Sequence, residues 1–236
     1  LFAYLGACYL RLNKPEQAET TFNTGLSLNV PHVDLFIEAG RFYEQNNKLL
    51  QAEALYSKAI ALDAEPDKAW SAYAACLLRS RNYQKAIPAL KKVIDLGADT
   101  DGFAHANIGY CYQQLENLED AEVWYKKALE EFPECPIAYA HYGTYQAVHG
   151  NMDEAKKLTE KATELSPNDS VAFYTYSSVH KFTEPHTNTA HYEALAWSPR
   201  TMIDDTIRLS FALSKMYWDL KEDEKSFVHL ARGLSL

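Results

Sequence analysis

Three histidines, His180, His186 and His191, lie within one short stretch of the sequence. Imidazole nitrogens are common zinc ligands, and a three-histidine site with an open position could activate a water molecule. The spacing of these histidines matches no metal-binding motif such as HExxH. We therefore keep a three-histidine metal site as one hypothesis, beside the alternative that these are polar loop residues without a metal.

The four cysteines form no CxxC pair, which argues against a zinc finger or a thioredoxin-like site. Cys8, Cys76 and Cys111 share one place in a repeat described below, and we expect them to be small buried side chains. Cys135 lies in the turn "FPECPIAY", where we expect an exposed thiol. The sequence contains no GxxxxGK[ST], GxGxxG or GxSxG. We predict no catalytic constellation and no cofactor in this segment, which would then not be an enzyme itself.

The composition and net charge argue against several classes of protein. The formal net charge is −9, and the sequence has no dense basic cluster, so we expect no binding to nucleic acid. No apolar run approaches the ~20 residues that span a membrane, and no signal peptide is visible. We expect a soluble, cytoplasmic protein. Because the first residue is Leu1 and not Met, we also expect a piece of a longer protein.

The elements that must position any functional side chain follow a repeat of about 34 residues. Five small residues mark the period, at Gly6, Gly40, Ala74, Gly109 and Gly143. Twelve residues after each comes an alanine: Ala18, Ala52, Ala86, Ala121 and Ala155. Four residues further comes a larger side chain in most repeats: Phe22, Tyr56, Leu90, Tyr125 and Thr159. Apolar residues recur at helical spacing, as in "AEALYSKAIAL", which predicts amphipathic helices.

This pattern resembles the tetratricopeptide repeat (TPR), a helix–turn–helix unit, over residues 1–180 and again near 207–236. The resemblance implies an all-α fold, a right-handed TPR superhelix (α–α solenoid) of stacked antiparallel helix pairs. We predict five TPR units in residues 1–169, a half unit with an irregular helical insertion in residues 170–206, and a closing degenerate hairpin in residues 207–236.

In the family, one face of each first helix lines a concave groove that binds a protein or peptide. The places that form this face are occupied here by Arg41, Glu44, Gln45, Lys68, Arg79, Phe103, Tyr110, Gln113, Gln114 and Thr144. A peptide with an acidic end and an apolar middle would suit this set of side chains. The resemblance therefore implies a non-catalytic interaction module that holds a protein or peptide ligand.

The repeat is interrupted in "SSVHKFTEPHTNTAHYEALAWSP", residues 177–199. Asn168 and Asp169 can cap the helix before the break, and Pro185 forces a stop. A short helix, "AHYEALAW", is followed by a long amphipathic helix that we expect to be capped near Asp204 and Asp205.

The residues that follow resemble the segment joining the repeats to the catalytic domain in bacterial TPR-sulfotransferase proteins. The matching residues are Lys181, Phe182, Thr183, Arg208, Leu209, Phe211, Ala212, Leu213, Lys215, Tyr217, Asp219, Leu220, Phe227, His229 and Leu230. The resemblance implies a PAPS-dependent sulfotransferase domain after Leu236, for which the repeats would recruit a substrate or partner. Ser214 departs from the usual glycine. The alternative is a free-standing scaffold, and we expect either protein to be a monomer or a weak dimer.

Overall fold

The computed structural model describes residues 1–28, 31–199 and 201–236. Within these ranges it contains fourteen α-helices and no strand, as the repeat pattern predicts. The helices are α1 Phe2–Arg11, α2 Pro15–Ser27, α3 Val33–Gln45, α4 Leu49–Leu62, α5 Pro66–Arg79, α6 Tyr83–Asp95, α7 Phe103–Gln114, α8 Leu118–Glu131, α9 Pro136–Val148, α10 Met152–Leu165, α11 Ser170–Val179, α12 Thr189–Trp197, α13 Ile203–Asp219 and α14 Asp223–Leu234. Proline begins α2, α5 and α9, where its missing N–H has no helical acceptor to lose.

The chain forms two compact units. The first contains residues 1–100 and 114–117, and the second contains residues 101–113 and 118–236. In the first unit α1 packs on α2, α3 on α4 and α5 on α6, while α3 also contacts α1 and α5. In the second unit α9 packs on α10, α13 packs on α14, and α11 contacts both α9 and α13. The prediction of an all-α solenoid is confirmed; the division of the sequence at residues 170 and 207 stays a prediction.

Close helix contact explains the small residues that mark the repeat. A Cβ atom added at Gly40 would lie 2.6 Å from Cε1 of Tyr56, and one at Gly109 would lie 2.7 Å from Cδ1 of Tyr125. Either distance is too short for a real Cβ contact, so the larger residue occupies the space that a side chain would need. The predicted second-helix residues are fully buried at both repeat places: Ala18, Phe22, Ala52, Tyr56, Ala86, Leu90, Ala121, Tyr125, Ala155 and Thr159.

Glu193 departs from the repeat pattern within the break. This residue follows Ser177 by sixteen positions, where regular repeats carry the buried side chain, and its carboxylate cannot be buried beneath the first helix without a partner. Instead Glu193 Oε1 accepts a hydrogen bond from the Tyr217 hydroxyl at 2.7 Å. The helix α12 meets α11 through the ring of Tyr192, which stacks on Phe173 with centroids 3.9 Å apart.

Some local predictions are confirmed and others are wrong. Cys76 and Cys111 are buried as expected, but Cys8 is exposed, because no described helix covers that side of α1. Cys135 is buried against Ala106, Ala128 and Ala138, not exposed, because the turn that carries it folds onto α7 and α8.

The two capping predictions also differ in outcome. Asp169 caps α11 as predicted, since its carboxylate accepts the Ala172 N–H at 2.8 Å. The helix α13 begins at Ile203, so Asp204 and Asp205 lie in its first turn rather than at its cap. Acidic residues in a first turn still stabilise a helix through its dipole.

Candidate functional site

The predicted inner-face residues of the first unit lie on α3 and α5 and are partly paired with one another. Arg79 donates from Nη1 to the carbonyl oxygen of Glu44 at 2.9 Å and lies 3.4 Å from Glu44 Oε1, which joins α5 to α3. Both side chains are largely buried. Arg41 and Lys68 are exposed and form ion pairs with Glu38 and Glu65 on their own segments, while Gln45 is exposed. Exposed ion pairs of this kind contribute little to stability, so breaking one to pair the cation with a ligand carboxylate costs little free energy.

Glu44 and Gln113 have a structural role that the sequence reasoning missed. The hydroxyl of Tyr56 donates to Glu44 Oε2 at 2.8 Å, and the hydroxyl of Tyr125 donates to Gln113 Oε1 at 2.6 Å. Each acceptor lies four residues after the small residue of its repeat, and each tyrosine lies sixteen after it. Burial raises the pKa of both phenols, so each remains a neutral donor. Glu44 and Gln113 therefore supply the hydrogen-bond acceptors that two buried phenol groups need.

The predicted residues of the second unit lie mainly on α7 and α9. Phe103 is partly exposed, and the ring of Tyr110 stacks on His141 with centroids 4.6 Å apart. The hydroxyl of Thr144 donates a hydrogen bond to the carbonyl oxygen of Ala140 at 3.1 Å, so its one hydroxyl hydrogen is already used within the helix. Gln114 is exposed but belongs to the first compact unit. The structure thus places the ten predicted residues in two units.

A continuous row of first helices, α9, α11 and α13, carries three exposed side chains at inner-face places, of which the one on α9 was predicted from the sequence. Val148 on α9 is 74% exposed, Tyr174 on α11 is 41% exposed, and Trp218 on α13 is 61% exposed. All three occupy inner-face places when Ser177 and Ser214 are aligned with the small residues of the earlier repeats. We call Val148, Tyr174 and Trp218 the inner row. Tyr174 and Trp218 were not among the predicted residues. Aligning Ser177 and Ser214 with the small residues of the earlier repeats would have identified both from the sequence.

The residues Lys215 and Asp219 fasten the end of α11 to α13. Lys215 Nζ donates to the His180 carbonyl oxygen and to Asp219 Oδ2, and Asp219 Oδ2 also accepts the Phe182 N–H at 3.0 Å. These hydrogen bonds hold the chain where the helix stops at Val179. Lys215, Asp219 and Phe182 belong to the set that resembles the sulfotransferase junction, so their spacing has a packing explanation in this chain.

The three histidines of the break do not form a metal site. Within the described residues, no group of three His, Cys, Asp or Glu side chains could hold a metal ion. His180 stacks on Tyr176 at 3.9 Å and lies 3.2 Å from the Thr159 hydroxyl, while His186 packs against Phe173 at 5.3 Å. His191 is exposed. His180 and His186 are therefore part of an aromatic cluster.

The second unit should lose stability in mild acid, and this cluster contributes together with His141 and His229, whose pKa values burial also lowers. Burial lowers the pKa of both His180 and His186 below the ordinary value of 6.5. As the pH falls through that value, the unfolded chain takes up protons before the folded chain does, so the free energy of unfolding decreases. We expect a lower urea midpoint at about pH 5.5 than at about pH 7.5. In the double variant His180→Gln/His186→Gln this difference should shrink; an unchanged difference would contradict the assignment.

The described part of the chain contains no helix that is both long enough and apolar enough to cross a membrane.

Stacked antiparallel helix pairs with side chains displayed along one row of helices define a helical-repeat scaffold. Family models of the tetratricopeptide repeat match residues 5–65, 37–101 and 103–135, which together span more than half of the chain. The chain belongs to the tetratricopeptide repeat family.

Two curated proteins and several solved structures are similar to this chain. The chain is 24% identical over 127 residues to Protein CTR9 homolog of Arabidopsis thaliana, covering 53% of this chain and 12% of that protein. It is 38% identical over 60 residues to Protein O-mannosyl-transferase TMTC2 of Homo sapiens, covering 25% of this chain and 7% of that protein. Among solved structures, it resembles a tetratricopeptide repeat protein from Parabacteroides merdae, with a TM-score of 0.67, 16% identity, and coverage of 99% of this chain and 91% of that one. The curated relatives are thus much longer than the matched region.

Proposed function

We propose that this chain is a protein-binding scaffold whose inner row holds an extended apolar segment of a partner. The observation that carries the proposal is the exposure of Val148, Tyr174 and Trp218 on three consecutive, mutually packed first helices. Large apolar side chains aligned on one exposed face are typical of an interaction surface, and tryptophan and tyrosine are the residues most enriched among binding hot spots.

The charges beside the inner row favour a partner that carries carboxylates. Lys181 is exposed at the end of α11, and Arg208 lies on α13 with its guanidinium 2.8 Å from Asp205 Oδ1. A ligand carboxylate could pair with Lys181 or share Arg208 with Asp205. The proposed partner is therefore a segment with apolar side chains in its middle and acidic residues at one end.

An array of peptides rich in leucine, phenylalanine and glutamate would provide a ligand for a direct test. For the tightest peptide, we expect Trp218→Ala and Tyr174→Ala each to weaken binding about tenfold in fluorescence anisotropy, the effect of removing a hot-spot side chain. Trp197→Ala is the matched control, because Trp197 is 50% exposed but lies on α12, outside the row of first helices. Equal loss in Trp197→Ala, or no loss in Trp218→Ala, would contradict the proposal.

We also propose, more specifically, that the scaffold serves a sulfotransferase domain in a longer protein. Its support is the set of residues between Lys181 and Leu230 named above, and several of these already have structural roles here. The competing proposal is a free-standing scaffold with no associated enzyme. Binding of PAPS by the longer protein, measured by calorimetry, would support the first; a longer protein without a phosphate-binding loop would support the second.

A further inference from the structure

His141 on α9 is a partly exposed histidine whose ring nitrogens make no hydrogen bond within the described residues. The polar residues at the same place of two other repeats are satisfied within their own helices. Asn107 Nδ2 donates to the Phe103 carbonyl oxygen at 2.8 Å. Thr175 Oγ1 donates to the Ala172 carbonyl oxygen at 3.0 Å. His141 therefore keeps its hydrogen-bonding groups available to a ligand.

A ring stack places this imidazole beside the inner face. The rings of His141 and Tyr110 are nearly parallel, at 19°, and their centroids are 4.6 Å apart. Tyr110 on α7 is one of the predicted inner-face residues, so the imidazole borders the same groove. Stacked rings of this kind attract each other beyond their buried area, which holds the imidazole in place before a ligand arrives.

Arg208 on α13 contributes a guanidinium to the same face. When Ser214 is aligned with the small residues of the earlier repeats, Arg208 takes the inner-face place of Lys68. Its side chain is 38% exposed. Within the described residues the guanidinium donates to Asp205 Oδ1 alone, at 2.8 Å. Its other N–H groups remain for a ligand, because a guanidinium carries several donors in one plane.

The charge of Arg208 acts on His141 without a compensating anion. Burial and then the positive charge of Arg208 lower the pKa of His141 from the ordinary value of 6.5 to about 4. No carboxylate among the described residues acts on His141, either from α8, α10 and α11 around α9 or from Asp205 beside Arg208. An anion placed between the two side chains would stabilise the charged form of each.

We propose that His141 and Arg208 together bind a carboxylate of the partner, at the acidic end of the segment that the inner row holds. This inference rests on the proposed function, since it assigns one part of that ligand to named side chains. In the complex Arg208 donates to one carboxylate oxygen and the protonated His141 donates to the other. Binding therefore takes up a proton and becomes tighter as the pH falls.

The position of Arg208 also sets a spacing within the ligand. Arg208 and Trp218 are ten residues apart on α13, which is about 15 Å along the helix axis. An extended segment covers that length in roughly four to five residues. We therefore expect the acidic residue to lie about four or five positions from the apolar residue that contacts Trp218.

Isothermal titration calorimetry with peptides rich in leucine, phenylalanine and glutamate tests the proposal. Both peptide ends are capped, so that side chains supply the only carboxylates. If the bound carboxylate returns the pKa of His141 to 6.5, titrations at about pH 6 in two buffers of different ionisation enthalpy should show uptake of roughly 0.7 proton. Binding should then be about tenfold tighter at about pH 5.5 than at about pH 7.5.

Variants assign the effect to the two side chains. His141→Gln should bind without proton uptake and without the gain at lower pH, because glutamine does not titrate. Arg208→Gln should weaken a glutamate peptide about tenfold and leave its glutamine counterpart nearly unchanged, while Arg208→Lys should recover part of the loss. His191→Gln is the matched control, since His191 is exposed on α12, and it should keep the full uptake. Circular dichroism at each pH checks folding.

The outcomes separate this inference from the proposed function. Peptides that depend on Trp218 but bind without proton uptake, or that lose nothing in Arg208→Gln, overturn the carboxylate site and leave the proposed function in place. Uptake that persists in His141→Gln assigns the titration to another residue and also overturns the site. Failure of every peptide to bind overturns both proposals.

Discussion

Replacing Gly40 by alanine should lower the free energy of unfolding of the first compact unit by about 2–3 kcal/mol, the usual effect of overpacking a core. The new Cβ would lie 2.6 Å from the ring of Tyr56, which is fully buried and has its hydroxyl held by Glu44. Either the ring must move and lose that hydrogen bond, or the two helices must separate. Urea unfolding followed by circular dichroism measures the loss.

The third pair supplies a matched control for this change. It carries Ala74 where the second pair carries Gly40, and Leu90 where the second carries Tyr56. The double variant Gly40→Ala/Tyr56→Leu therefore gives the second pair a combination that the chain already uses. We expect it to be more stable than Gly40→Ala alone, although the Tyr56 hydrogen bond is lost. A double variant less stable than the single variant would show that the close contact at Gly40 is not the cause.

Replacing Phe173 by alanine should destabilise the second unit by about 3–5 kcal/mol, the range for truncating a buried aromatic side chain. Phe173 is completely buried, and its ring contacts Tyr192, Phe182 and His186. Because the ring of Tyr192 on α12 stacks on Phe173, the cavity should also loosen α12. Hydrogen exchange should show reduced protection in residues 189–197.

The control for this prediction is Phe227→Ala. Phe227 is the same residue type on α14, but it is 69% exposed, so its truncation removes little buried surface. We expect a change of about 0.5 kcal/mol or less. Similar losses in the two variants would contradict the assignment of Phe173 to the core of the break.

The sequence predicted the helix pairs well, because the two residues that form the close contact within each pair lie at a fixed short separation in the sequence. A small residue and a side chain sixteen positions later define one helix crossing, as Gly109 and Tyr125 do. It predicted the break, since Pro185 is a local stop signal. It did not predict how the break is filled, because the stacking of Tyr192 on Phe173 depends on tertiary packing.

The candidate site was less predictable for a similar reason. The repeat register predicts that side chains such as Glu44 and Gln113 lie on the inner face. It does not predict which residue forms a hydrogen bond with each of them. Exposure along α11 and α13 depends on how α11 packs on α9 and on how α13 packs on α11 after the irregular segment. The burial of Cys135 likewise arises from the fold of a turn onto neighbouring helices.

The hydrogen bonds from Tyr56 to Glu44 and from Tyr125 to Gln113 link two predicted inner-face residues to the burial of two phenols during sequence divergence. At both places a change of the acceptor would leave a buried phenol without a partner, so acceptor and tyrosine should vary together. Where the buried residue is not tyrosine, the inner-face residue is apolar, since Leu10 accompanies Phe22 and Leu78 accompanies Leu90. Trp218 corresponds to Leu230, which is 38% exposed. Under the proposed function, selection for a new partner can therefore act at Trp218 alone, whereas at Glu44 it must change two residues at once.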